Sequence, residues 1–238
     1  MPIRLITYSK GNVLPDLPGR RIEHSNELFH VYEQTAGYHP HLIVAYQDKR
    51  PVAKLLSVVR KSTRIFPPSI IKRCEIYGYG EYFDENLNKE TLFGEMLDYL
   101  TQNIIQQSFL IEFRNLEEPL FGYKHFRRNH YFSINWIRVY NSLHNRVPEK
   151  QLEPARKRQI NRAVRRGATT KILETEEELD SFLKMLKKSY SSKIRKHFPD
   201  INFFRQLATQ YPEKETSRIF IVKYKGKIIG GSFCIYSD

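Results

Sequence analysis

Two apolar runs joined by a charged turn occur twice in this chain, and they constrain its fold more than any other feature. In the first, residues 41–47 (His-Leu-Ile-Val-Ala-Tyr-Gln) and residues 51–61 flank Asp48-Lys49-Arg50, and the second run carries Val52, Leu55, Leu56, Val58 and Val59. In the second, Ile219-Phe220-Ile221-Val222-Lys223-Tyr224 leads through Lys225-Gly226 into Lys227-Ile228-Ile229-Gly230-Gly231. Strand-forming runs on either side of a short polar turn read as β-hairpins. Residues 223–231 echo residues 46–54, so the chain reads as two halves built on one plan.

Around the first hairpin the order is helix, hairpin, strand, helix, strand, strand. Leu28, Phe29, Tyr32 and Ala36 recur at helical spacing, which predicts a helix over 25–37 ending at Gly37. A strand is predicted over 73–83, after the breaker Pro67-Pro68. Leu92, Phe93, Met96, Leu97, Leu100, Ile104 and Ile105 give the buried side of a helix over 87–107. Strands over 108–115 and 131–140 complete this half. In the second half a strand over 169–173 precedes a helix opened by acidic residues 174–178, as the helix dipole favours, with Leu179, Phe182, Leu183 and Leu186 on its apolar face. A further helix spans 201–210, and the hairpin strands run over 218–224 and 227–236. Mixed order of this kind predicts an α/β (α+β) fold, with mixed central sheets flanked by helices.

Between the halves lies Pro154-Ala155-Arg156-Lys157-Arg158-Gln159-Ile160-Asn161-Arg162-Ala163-Val164-Arg165-Arg166-Gly167. Proline suits the first turn of a helix and glycine the left-handed residue past its end. Ile160, Ala163 and Val164 share one face, and Arg158, Arg162 and Arg165 another, with Arg156, Lys157 and Arg166 beside it. Like charges at i,i+4 weaken an isolated helix. The segment makes more sense with something anionic along it, and the net charge of +13 also favours polyanionic partners. The alternative reading is a solvated connector.

No apolar run approaches the ~18 residues needed to span a bilayer. The opening Met1-Pro2-Ile3-Arg4-Leu5-Ile6-Thr7 lacks a charged region followed by an apolar signal core, so a cytoplasmic protein is expected. Cys74 and Cys234 sit in strand-like runs and read as buried free thiols. His39 and His41 bracket Pro40 and read as turn residues, not as metal ligands. No GxSxG elbow and no P-loop is present. Glu75, Glu81 and Asp84 flank Tyr77-Gly78-Tyr79-Gly80. One of them could serve as a base, though solvated or paired carboxylates are the commoner case. The glycines read as a strand end or bulge, and Tyr77, Gly78, Tyr79, Gly80 and Glu81 as a candidate substrate loop. Tyr123, Phe126, Tyr131 and Phe132 interleave with Lys124, Arg127 and Arg128, a mixture that can stack bases or form a strand edge against the core.

Three of these segments carry a resemblance. Residues 220–231 are similar to the second and third strands of a GNAT acyltransferase domain. Residues 156–167 resemble the segment leading into the second domain of the Fem-type peptidoglycan aminoacyltransferases, tandem members of that superfamily. Residues 42–61 with Ile76-Tyr77-Gly78-Tyr79-Gly80 are similar to the hairpin and following loop of the first domain. The resemblance implies a tandem GNAT-like fold, with a first domain over 1–150, a basic connecting helix over 151–167, and the start of a second domain over 168–238. It implies a cytosolic, metal-free transferase that moves an aminoacyl group from aminoacyl-tRNA to an amine of a cell-wall precursor, nucleotide- or lipid-linked. No cofactor would be bound; aminoacyl-tRNA or acyl-CoA would be the co-substrate. Arg156, Lys157, Arg158, Arg162, Arg165 and Arg166 would then contact substrate or tRNA phosphates, with peripheral membrane contact a further expectation.

Two departures stand out. The glycine-rich anion loop of acyl-CoA enzymes is missing from both halves. The sequence also stops at Asp238, after the third strand of the second domain, so a piece of a longer protein is expected, with a degenerate second domain as the alternative. An acyl-CoA N-acyltransferase of surface-polysaccharide assembly is one alternative, and a non-catalytic nucleic-acid-binding module using the basic helix is another.

Overall fold

The structure is a computed structural model that describes residues 2–19, 21–61, 72–114, 118, 120–134, 147–190, 200–211 and 217–236. Among these residues its larger sheet has six strands: β1 (Arg4–Ser9), β2 (Tyr38–Gln47), β3 (Arg50–Lys61), β4 (Lys72–Tyr77), β5 (Glu81–Tyr82) and β6 (Leu110–Arg114). The order is β1-β2-β3-β4-β6, and β5 pairs with β3 beyond the end of β4. Neighbours are antiparallel except β4 and β6, which are parallel. A parallel pair needs a crossover, and helix α2 (Lys89–Ile104) provides it.

The first hairpin turns at Asp48 (φ 47°) and Lys49 (φ 68°), the second at Lys225 (φ 49°) and Gly226 (φ 74°). Two consecutive positive φ values define the type I′ turn, whose twist matches that of the flanking strands. The repeated hairpins of the sequence therefore share one turn geometry.

Helix α1 (Asn26–Glu33) begins where the Ser25 hydroxyl accepts the Leu28 N–H at 3.1 Å. Helix α2 begins in the same way at Asn88, which accepts the Thr91 N–H at 2.9 Å. The alternation of strand side chains sends Ile43, Leu55, Val59, Cys74 and Ile76 onto α2, against Leu92, Met96 and Leu100. Leu42, Val44, Leu56 and Val58 face the other way, onto α1 and onto α7 (Ile201–Gln210). Full burial of a side chain such as Phe29 or Phe93 contributes about 1.5–3 kcal/mol.

The remaining elements are α3 (Tyr123–Arg128), α4 (Pro148–Gln151), α5 (Pro154–Arg165), β7 (Thr169–Ile172), α6 (Glu176–Ser189), β8 (Ser217–Tyr224) and β9 (Lys227–Ile235). Strands β7, β8 and β9 form a second, antiparallel sheet. Helix α6 packs Leu179, Phe182 and Leu183 on Ile219 and Ile221 of this sheet, with Phe204 of α7 beside them. Helix α7 also reaches the first sheet. Its Leu207, with Tyr211 beyond its end, lies in the core beneath α1, and the Tyr211 hydroxyl meets the Ser25 hydroxyl at 2.6 Å. Phe203 stacks on Tyr32 and Tyr38. The two sheets thus share buried residues through α7.

The architecture is the mixed α/β arrangement that the element order predicts, with three local corrections. The strand expected over 73–83 is broken, because Gly78 (φ 71°) and Gly80 (φ 97°) take the chain out of the sheet and back. His39 and His41 lie inside β2 and not in a turn, because β2 is paired along its whole length to β3. The strand expected over 131–140 is not formed by residues 131–134, and residues 135–140 lie outside the described ones, as do Pro67 and Pro68. The interleaved aromatic and basic residues before it form helix α3, which begins after Gly122 (φ 70°). Gly94 of α2 lets α3 approach: a Cβ there would lie 2.1 Å from the His125 ring. Phe113, Phe121, Phe126 and Tyr131 pack around Phe93, so tertiary contact and not strand pairing organises this stretch. Cys74 is buried and Cys234 half-buried, both as free thiols.

Candidate active site

The break between β4 and β5 creates the most chemically distinctive region of the described residues. Along one edge of β3, Ser57–Lys61 pair with β4 and Ala53–Lys54 with β5. Between these pairings the edge of β3 has no strand neighbour among the described residues. His24, at the end of a 3-10 turn over Ile22–His24, fills that gap. The Leu56 N–H points at its Nδ1 (3.1 Å) and the Gly80 N–H at its Nε2 (3.0 Å). A neutral imidazole has one acceptor nitrogen, so one of these contacts is a hydrogen bond in either tautomer. A protonated ring would face both N–H groups with donors. Burial pushes the His24 pKa down to about 3, and the charges of Arg21 and Lys54 act in the same direction.

Next to His24, Lys54 and Glu81 form a buried ion pair at 3.3 Å, with side chains only 3% and 11% exposed. Such a pair requires further hydrogen bonds to offset its lost hydration. The Arg21 N–H donates to Glu81 Oε1 at 3.0 Å, and Lys54 Nζ lies 5.6 Å from the centre of the Phe83 ring. Gly19 permits this arrangement, since a Cβ at that position would lie 2.3 Å from the Glu81 carboxylate.

Glu81 opens onto a cleft of about 400 Å³ lined by Arg21, Tyr79, Gly80, Glu81, Tyr82, Lys89, Glu118 and Phe121. The Tyr79 hydroxyl donates to the Glu118 carbonyl at 2.6 Å, and the Tyr82 hydroxyl to the Tyr79 carbonyl at 2.8 Å. These bonds fix both rings. Burial raises the Tyr82 phenol well above its usual range, with Arg21 opposing, so it stays protonated. The cleft lies past the carboxyl end of β4, beside its parallel partner β6. Open α/β sheets bind ligands outside the carboxyl ends of such strands.

Of the candidate loop, Tyr79, Gly80 and Glu81 line the cleft, whereas Tyr77 and Gly78 do not. Tyr77 accepts from Arg114 Nη1 at 2.9 Å, within an ion-pair group in which buried Glu75 pairs with Arg60 and, at 3.6 Å, with Arg114. The expectation that the acids beside this loop are paired holds for Glu75 and Glu81. Asp84 caps its own turn by accepting the Asn86 N–H at 2.9 Å. Sequence reading missed Lys54 and His24. A lysine inside the run Val52-Ala53-Lys54-Leu55-Leu56 was the available signal, whereas nothing local marks His24.

Helix α5 has no buried residue: Ile160 and Val164 are 44% and 61% exposed. Arg156 donates to Gln159 and Arg165 to the Asn161 carbonyl. Among the described residues no carboxylate lies within ion-pair distance of Arg156, Lys157, Arg158, Arg162, Arg165 or Arg166. None of the six lines the cleft. The described residues contain no cluster of His, Cys, Asp and Glu able to hold a metal, and no helix long and apolar enough to cross a membrane.

No family model matches this sequence, and no curated protein matches it. Among solved structures the chain is similar to FemX, with 14% identity, a TM-score of 0.49, and 85% of this chain covered. The chain spans about half of FemX, 52% of its length. It is also similar to an aminoglycoside acetyltransferase from an uncultured soil metagenomic sample, with 12% identity and a TM-score of 0.40 over 59% of this chain and 96% of that one. A third similar structure is the glucosamine-6-phosphate N-acetyltransferase of Arabidopsis thaliana, with 12% identity and a TM-score of 0.30 over 44% of this chain and 67% of that one.

Proposed function

We propose that this chain is an acyltransferase that moves an aminoacyl group onto an amine, with the cleft at the carboxyl end of β4 as the reacting centre. The observation that carries this reading is the buried Lys54–Glu81 pair opening onto that cleft. Acyl transfer to an amine needs a group that takes the amine proton and donors for the oxyanion of the tetrahedral intermediate. In this reading the acceptor nitrogen attacks the acyl carbonyl, the Glu81 carboxylate takes the ammonium proton, and the donor leaves with its oxygen or sulfur. Lys54 and the Arg21 N–H hold Glu81 in place as positioning groups. Tyr79, Tyr82 and Phe121 form walls that exclude water from the carbonyl.

The start of α2 bears on the donor. An acyl-CoA pyrophosphate would need free N–H groups at such a helix start. Here Asn88 caps the helix and Glu90, in its first turn, accepts the Gly122 N–H at 3.1 Å. A carboxylate in that place repels a pyrophosphate, which favours aminoacyl-tRNA as donor over acyl-CoA. The exposed basic face of α5 is the surface proposed to contact the phosphates of tRNA or of a nucleotide- or lipid-linked cell-wall precursor. The same exposure is what a non-catalytic nucleic-acid-binding module would need.

Calorimetric titration of the protein with acetyl-CoA, and separately with charged tRNA, tests the reading. Saturable binding of charged tRNA and none of acetyl-CoA is expected. Saturable acetyl-CoA binding would move the assignment to an acyl-CoA N-acyltransferase. Binding of tRNA with no transfer to any amine would leave the nucleic-acid-binding module.

A further inference from the structure

The opposite end of the larger sheet carries a second concavity, at the start of β4 and beside Gln107, just past the end of α2. It has a volume of about 190 Å³, and its polar lining is Ser9, Lys10, His39, His41, Lys72 and Gln107. No carboxylate is among its lining residues, counted over the described residues. Pairing of β1 with β2 sets Ser9 opposite His41, and its hydroxyl meets His41 Nδ1 at 3.0 Å. His41 Nε2 is a buried nitrogen without a hydrogen-bond partner. Among the described residues neither Lys10 nor Lys72 has a carboxylate within ion-pair distance. Glu33 lies close enough to feel the Lys10 charge, but its carboxylate is taken up by the Gly11 N–H at 2.7 Å and by His30. His39 lies where the lysine charges converge. Its pKa is held below the ordinary value first by burial and then by Lys10, Lys72 and Lys61.

We infer that this pocket binds a phosphate group of a small molecule, with Lys10 and Lys72 as the charged contacts and Ser9, His39 and Gln107 as hydrogen-bonding contacts. The argument is one of charge, shape and size. Two lysines, a histidine, a serine and a glutamine line one hollow, and among the described residues no acid lines it. Charge-assisted hydrogen bonds to phosphate oxygens are the strong kind, and lysine is a common phosphate ligand. At about 190 Å³ the hollow admits a phosphate with a few waters and is too small to enclose a run of nucleotides. The pocket is separate from the cleft beside Glu81, so it stands or falls independently of the transfer reaction.

The test is titration of the full chain with inorganic phosphate, followed by calorimetry and by ³¹P line broadening, for the wild type and for Lys10→Ala/Lys72→Ala. The expected result is saturable one-site binding that weakens at least about tenfold in the double variant, with an unchanged far-UV spectrum. Gln107→Ala, which changes no charge, should weaken binding by a smaller factor. Arms with a nucleoside monophosphate and with a short single-stranded RNA distinguish the sources. A monoester phosphate should compete with inorganic phosphate, whereas the RNA should not. Phosphate binding that survives in the double variant but disappears when the α5 arginines are replaced would overturn the proposal. So would a lowered melting temperature in the double variant with no phosphate binding in the wild type, since the lysines would then serve only the carboxyl end of α2. Displacement of phosphate by the RNA would overturn it in favour of a nucleic-acid contact.

Discussion

Acidification should destabilise this protein, and His24 should contribute a separable share of the loss. Its ring is fully buried, and the Leu56 and Gly80 N–H groups both point at it. In the folded chain its pKa is about 3, against 6.5 for an unperturbed histidine. A depressed histidine pKa means that the unfolded chain binds a proton which the folded chain refuses. Stability is therefore intact above about pH 6.5 and falls as the pH drops from there toward 3. At about pH 4.5 the two-unit gap from 6.5 corresponds to on the order of 3 kcal/mol. His24→Leu removes the titrating group and leaves the two N–H groups without a ring acceptor. It should cost about 1–3 kcal/mol at neutral pH. Its further loss on going to about pH 4.5 should be smaller than that of the wild type by on the order of 3 kcal/mol. Urea unfolding of both proteins at the two pH values measures this, and carboxylates common to both cancel in the comparison. Parallel pH profiles for wild type and variant would refute the reasoning and place a charged or solvated imidazole in the gap beside β3.

Other outcomes follow from the same geometry. Lys54→Met strands the Glu81 carboxylate in a buried site and should cost about 3–5 kcal/mol, read from the urea midpoint at neutral pH. Gly80→Ala combines a φ of 97° with a Cβ 2.8 Å from the Lys54 carbonyl oxygen, and should lower stability by at least about 1 kcal/mol in the same assay. Lys49→Gly relieves a side chain held at φ 68° in the first hairpin turn, and should raise stability by about 0.5–1 kcal/mol in thermal or urea unfolding. Replacing Arg158, Arg162 and Arg165 by Gln should leave stability within about 0.5 kcal/mol per site, because α5 buries nothing. The same change should flatten the salt dependence of tRNA binding by up to about three phosphate contacts.

The hairpins, the starts of α1, α2, α6 and α7 to within two residues, and the basic helix were legible in the sequence because each is specified by residues close in the chain. Type I′ turns need positive φ at adjacent residues, and the polar Asp48-Lys49 and Lys225-Gly226 pairs mark them. Helices α5 and α7 have the bounds that Pro154 and Ile201 announce. The break between β4 and β5 was not legible as such. Gly78 and Gly80 signalled a local irregularity, but what stabilises it is His24, more than fifty residues earlier in the chain. Helix α3 was missed for a similar reason. Its aromatic residues fit strand and helix alike, and the choice is made by Gly94 and Phe93 on a distant helix. Of the site itself, Tyr79, Gly80 and Glu81 were named from their local pattern. Lys54 was hidden by an apolar strand, where a charge is retained only because Glu81 arrives from another segment.

The most direct test of the central claim is the transfer of a radiolabelled amino acid from charged tRNA to an amine acceptor by the wild type and by Glu81→Gln. The account predicts transfer by the wild type. It predicts a loss of about 10²-fold or more in the variant, the size typical of a missing general base, with tRNA affinity little changed; because the variant leaves Lys54 without its partner, its melting temperature should fall as well, and transfer is compared at a temperature where both proteins are folded. Transfer at the wild-type rate by Glu81→Gln would contradict it and remove the cleft beside Glu81 as the reacting centre.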